Sequence, residues 1–144
     1  MARPRPVRER IPVHIGGGGP KLTMPLVAEY ADWWNLPSYA HDSLDELRPL
    51  AGSARVSVQH PVGLATTAVG RDEVHDVAYR RFGEWGGVLT GTADEVARPL
   101  ADLAASGVEG FVIQFHDFGA EESLRHFMAE VAPVVRDAAQ AAVR

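Results

Sequence analysis

Apolar positions in this chain fall into short continuous runs that alternate with stretches of helical spacing. Ile11-Pro12-Val13-His14-Ile15 is an apolar run ending in Gly16-Gly17-Gly18-Gly19, the pattern of a buried strand entering a glycine loop. Pro20 suits the first turn of a helix, and Leu22, Leu26, Val27 and Tyr30 then recur at helical spacing. Pro25 is a fault in that pattern, because it lacks a backbone donor. Residues 31–35 form the next strand candidate, closed by Leu36-Pro37. A short helix is predicted over residues 43–50, with Ser43 and Glu46 at capping-box spacing. Residues 55–64 read as extended, and Asp72 is placed to cap a helix running to about Glu84. Thr92 and Glu95 form a second capping box, before a helix that buries Val96, Leu100 and Leu103 and ends at Gly107. Residues 111–115 are a buried strand, and the last helix starts near Glu121.

The order is strand then helix, four times over. Such units build a parallel sheet with right-handed connections. Four units are too few to close a barrel of eight strands, which takes about 250 residues, but they are the number for half of one. The chain has 144 residues, 46% hydrophobic and 23% charged, enough for one modest core. Its net charge of -5 argues against nucleic acid as a partner. Without cysteine there is no disulfide or thiolate metal site, which suits the cytoplasm. No apolar run reaches the roughly 18 residues of a membrane span. Residues 1–10 alternate proline and arginine and read as an extended segment ahead of one domain over 11–144.

The stretch with most chemistry is residues 11–31. Glycines let the backbone approach an anion closely, and a helix start offers free N–H groups with the positive end of the dipole. That is the physics of a phosphate site, and equally of a tight turn that needs glycine for shape. No Gly-Lys-Ser/Thr follows, so the tract is not a P-loop.

Two segments, Ile11-Pro12-Val13-His14-Ile15-Gly16-Gly17-Gly18-Gly19-Pro20-Lys21 and Ala28-Glu29-Tyr30-Ala31-Asp32-Trp33-Trp34-Asn35, resemble the luciferase-like monooxygenase family. Gly70-Arg71-Asp72, Gly91-Thr92-Ala93-Asp94-Glu95-Val96, Gly107-Val108-Glu109-Gly110-Phe111 and the ending from Asp117 to Pro133 match in order and spacing. Residues 56–61 and 80–87 look like the branch described as F420-dependent. Trp33 departs from the family pattern, which usually has glycine there, as does Pro25.

The resemblance implies an α/β fold: the C-terminal half, strands five to eight, of a TIM (β/α)8 barrel that binds FMN or F420 at the C-terminal ends of its strands. It implies that Gly17, Gly18 and Gly19 supply backbone N–H groups to the cofactor phosphate, with Lys21 as charge partner and Trp34 near the ring. Gln59, His60, Gln114, His116 and Asp117 end the last two strands; His60 is a pocket candidate. His116 and Asp117 are adjacent on an extended chain and point oppositely, so neither a dyad nor a metal site is expected. Arg80 and Arg81 read as a solvated helix face. The expected function is a flavin- or F420-dependent oxidoreductase in truncated form, with little independent activity. The alternatives are a non-catalytic cofactor-binding half-barrel that dimerises, or a gene fragment without function. The expected partner is a second copy or an N-terminal half-barrel.

Overall fold

The computed structural model describes residues 10–142. Of the predicted Pro/Arg-rich segment only Arg10 is among them, and its guanidinium meets Asp32 at 2.9 Å. The fold is α/β: a wholly parallel sheet of five strands with helices between them. The strands are β1 (His14–Gly16), β2 (Trp33–Leu36), β3 (Arg55–Leu64), β4 (Leu89–Gly91) and β5 (Gly110–Phe115). The helices are α1 (Thr23–Tyr30), α2 (Leu44–Leu47), α3 (Arg71–Phe82), α4 (Ala93–Ala105), α5 (Glu121–His126) and α6 (Ala132–Ala142). Among the described residues no helix is long and apolar enough to cross a membrane.

β3 is the central strand. Arg55 N–H donates to Asp32 and Ala65 N–H to Gly91, so its odd residues bond toward β2 and β4. The carbonyls of Val56 and Val62 accept from Glu109 and His116, so its even residues bond toward β5. β2 pairs with residues 55–58 and β4 with residues 62–64, one beyond the other along the same edge. Pro61 falls in the gap between them, on the odd side, so its missing N–H costs the ladder nothing. β4 is too short to announce itself in the sequence.

Alternation gives the sheet two unlike faces. Trp34, Leu36, Val56 and Val58 pack against Met24 and Val27 of α1 and Leu44 and Leu47 of α2. Val62, Leu64 and Phe115 pack against Val96, Ala97 and Leu100 of α4 and against Val131. On the opposite face α3 covers only the C-terminal end, where Gly63 is obligatory: a Cβ there would lie 2.9 Å from the Ala78 side chain. The rest of that face carries Trp33, Asn35, Ser57, Gln59, Val112 and Gln114 with no helix of the described residues over it, and Val112 is 48% exposed.

Several predicted boundaries move for identifiable reasons. β1 is shorter than expected and not buried, since Ile11 is 72% and Val13 40% exposed. α1 starts at Thr23, not at Pro20, which puts Pro25 in the first turn where its absent N–H has no helical partner to lose. Ser43 makes no cap bond, and α2 passes into a tight 3-10 turn, Arg48–Ala51, where Pro49 removes an α-helical donor. Gly70 stands at the start of α3, and Asp72 lies within its first turn. The Thr92 and Glu95 box is present, with Thr92 N–H donating to Glu95 Oε2 at 2.9 Å. A π turn, Phe127–Val131, joins α5 to α6 just ahead of Pro133, whose ring crowds the carbonyl four residues back.

Candidate functional site

The glycine tract leaves the C-terminal end of β1 and is held on both sides. Gly17 N–H donates to the Asn35 carbonyl at 3.1 Å, and the Gly17 carbonyl accepts the Trp34 indole N–H at 2.7 Å. Gly17 has φ +128°, a conformation that side chains resist. The Gly19 carbonyl accepts from Thr23 and Met24 and so closes the first turn of α1. A Cβ on Gly18 would lie 3.3 Å from Leu47 and 3.5 Å from Ala40, so this residue is packed as tightly as its neighbours are bonded.

What remains free is a set of donors. Among the described residues, the amides of Gly18, Gly19, Lys21 and Leu22 donate to no acceptor, and the Lys21 ammonium has no carboxylate partner. Gly19 and Lys21 are exposed. α1 has no acidic residue in its first turn and no side-chain cap. Free amides, an uncapped helix start and one cation fit a phosphate group. A cavity of about 640 Å³, lined by Thr66, Glu121, Glu122, Arg125, His126 and Ala129, shares no residue with the tract.

The ring side of the expected site is not built as the sequence suggested. Trp34 is 0% exposed, with its ring in the core and its indole N–H on Gly17. It cannot stack on a ligand; it positions the glycine loop. Trp33 takes the uncovered face instead, at the N-terminal end of the strands. There it stacks on His14 at 5.6 Å and lies under the Arg55 guanidinium at 4.0 Å. Gly110 leaves room for it, since a Cβ there would sit 2.9 Å from the Trp33 ring.

His60 is buried, and its Nδ1 meets the Gly87 carbonyl at 2.8 Å. A carbonyl only accepts, so Nδ1 carries the proton and Nε2 keeps its lone pair. That Nε2 is buried without a partner, as is Nε2 of His41. The two rings lie 4.2 Å apart. Burial pushes the His60 imidazole down to about 4, against the Gly87 bond that raises it, and His41 adds to the lowering. His41 is lowered too, chiefly by burial. Ala40, next to His41 in the chain, is one of the three side chains nearest Gly18, with Leu47 and Leu36. His41 carried no signal in the sequence; only the fold of the loop after β2 brings it to β3.

At the end of β5, Asp117 serves the turn. Its Oδ1 accepts from the amides of Gly119 and Ala120, and its Oδ2 from Ser123 Oγ at 2.6 Å. Burial acts to raise its pKa, but these bonds outweigh it and hold the carboxyl low. Arg81 is exposed, as expected of a solvated helix face, and it also donates to the His116 carbonyl and lies 4.8 Å over the Phe118 ring. Gln59 and Gln114 share the uncovered face. Among the described residues no cluster of three or more His, Cys, Asp or Glu is placed to hold a metal. Compared with models of known protein families and with curated proteins, the chain matches none.

Proposed function

We propose that this chain is the phosphate-anchoring half, strands five to eight, of a luciferase-like (β/α)8 oxidoreductase, and that it holds the phosphate of FMN or F420 at Gly18, Gly19 and Lys21; Gly17, expected from the sequence to donate as well, has its N–H on the Asn35 carbonyl and shapes the loop instead. The observation that carries the reading is the run of free amides from Gly18 to Leu22 at the C-terminal end of β1, leading into an uncapped α1. Parallel strands with helices packed mainly on one face support the barrel relationship. When bound, the flavin or deazaflavin would supply two-electron hydride chemistry; the chain anchors and orients its phosphate end. Trp34 sets the loop by holding the Gly17 carbonyl, and the loop offers donors already in place.

The residues around a reactive ring would come from elsewhere, either a second copy or a chain carrying the first four strands. On this reading the chain alone binds cofactor weakly and turns over little or nothing, since rate needs groups at the reacting atoms. The test is titration with FMN and with F420 of the chain and of two variants. Gly19→Asp puts a carboxylate beside the free amides, whereas Gly19→Ala adds only the Cβ. We expect the aspartate to abolish binding and the alanine to weaken it slightly. Equal binding by both folded variants would remove the site. Optical measurement of cofactor reduction, with and without a polypeptide for strands one to four, tests the catalytic part: robust turnover by the chain alone would refute it.

A further inference from the structure

The geometry points to a second copy of this chain as the occupant of both open sheet edges: β5 of each copy pairs with β1 of the other about a two-fold axis, giving an eight-stranded parallel barrel. The inference rests on the half-barrel reading above but not on the cofactor.

Four strands, β1, β2, β3 and β5, lie side by side, and β4 only extends the line of β2. Four is half of the eight-stranded parallel barrel, whose interior is filled by side chains. All pairs are parallel. A two-fold rotation about an axis along the strands leaves their direction unchanged, so the new β5–β1 pairs would be parallel like the rest. The two edges differ from each other, so the contact is heterologous, and it closes at two copies when each copy spans half the circumference.

Both edges have backbone groups to pair. On β1, Val13 and Gly17 bond toward β2, which leaves the N–H and C=O of His14 and Gly16 on the open side. On β5, His116 bonds toward β3, which leaves those of Phe111 and Ile113 on the open side. Exposed strand edges are normally covered.

The apolar surface is concentrated at the same two places. Among the described residues, ten of the fifteen exposed large hydrophobic side chains lie either at Ile11–Tyr30 or at Val112–Val134, the two edge units. In α1, Ala28 faces the turn at Gly52, whose Cβ would touch it. At about 100° per residue, Leu26 and Tyr30 stand roughly 160° around the helix from Ala28, on the flank toward the open edge of β1. They are 50% and 54% exposed. At the other edge Leu124, Met128 and Val134, in the helical layer behind β5, are exposed as well. Both halves of the contact are therefore present on one chain.

The chain has no cysteine, so single cysteines report on it directly. His14 and Val112 lie on the uncovered face of the two edge strands. Sedimentation of the chain without cofactor should give twice the 15.6 kDa chain mass at micromolar concentration. Mixing His14→Cys chains with Val112→Cys or Gln114→Cys chains under mild oxidation should give the mixed disulfide in preference to His14→Cys homodimers. Leu26→Glu with Tyr30→Glu, on the surface of α1, should weaken association at least tenfold and leave the circular dichroism unchanged. A compact monomer would overturn the proposal, as would cross-linking of β1 to β1 only, or assembly that needs a separate polypeptide. Cofactor binding by such a monomer would leave the phosphate reading standing; a cofactor-blind dimer would do the reverse.

Discussion

His60 should make this fold sensitive to mild acid. Its ring is 4% exposed, donates from Nδ1 to Gly87, and faces the His41 ring at 4.2 Å with both Nε2 atoms unpartnered. The folded imidazole is pushed down to about 4 from an ordinary 6.5. The unfolded chain therefore takes up the proton first, and stability falls as pH drops below about 6.5, levelling off below about 4. At about 1.4 kcal/mol per pH unit, that window is worth at most about 3.5 kcal/mol, a large part of a small domain's stability. His41 is lowered in the same direction and adds to the slope. The assay is urea unfolding at pH 7.5, 6, 5 and 4.5 on the native chain and on His60→Gln. Glutamine does not titrate and can still donate to the Gly87 carbonyl. The native chain should lose stability over that range, and the variant should lose about 2–3 kcal/mol less. Equal losses in the two proteins would refute the reasoning, because the acid sensitivity would then lie in other groups.

Two further outcomes follow from contacts of single residues. Trp34→Phe keeps the core ring but removes the donor to the Gly17 carbonyl; it should cost about 1–2 kcal/mol in urea unfolding and weaken FMN binding, because the glycine loop is no longer held. Gly63→Ala would place a Cβ 2.9 Å from Ala78 and 3.0 Å from Val74, and should lower stability by about 1–3 kcal/mol, measured by thermal unfolding.

The order of elements was legible because it rests on long periodic segments: the alternating run of β3, the apolar stripe and capping box of α4, and the glycines after β1. What the pattern could not settle was which face each residue takes. In Trp33-Trp34 a shift of one position exchanges the two sides of the sheet, and only the pairing of Trp34 with Val56 puts Trp34 in the core. The contact of Arg81 was not legible because its partner, the His116 carbonyl, is 35 residues away. His41 was invisible for the same reason, as its neighbour His60 belongs to another strand. β4 has three residues and takes its identity from β3 rather than from its own composition. In the candidate site, the glycine tract was readable from local chemistry. The histidine pair was not, because it exists only through tertiary contact.

The claim that matters most is that the glycine tract binds phosphate, and FMN against riboflavin tests it most directly, because the two differ only in that group. Both ligands would be titrated into the whole chain and into Lys21→Glu, with flavin fluorescence as readout. The native chain should prefer FMN by at least about tenfold, as expected for charge-assisted hydrogen bonds worth about 1.5–3 kcal/mol. Lys21→Glu, on an exposed side chain, should reduce that preference without unfolding the protein. Equal affinity of the native chain for FMN and riboflavin, or no binding of either, would contradict it.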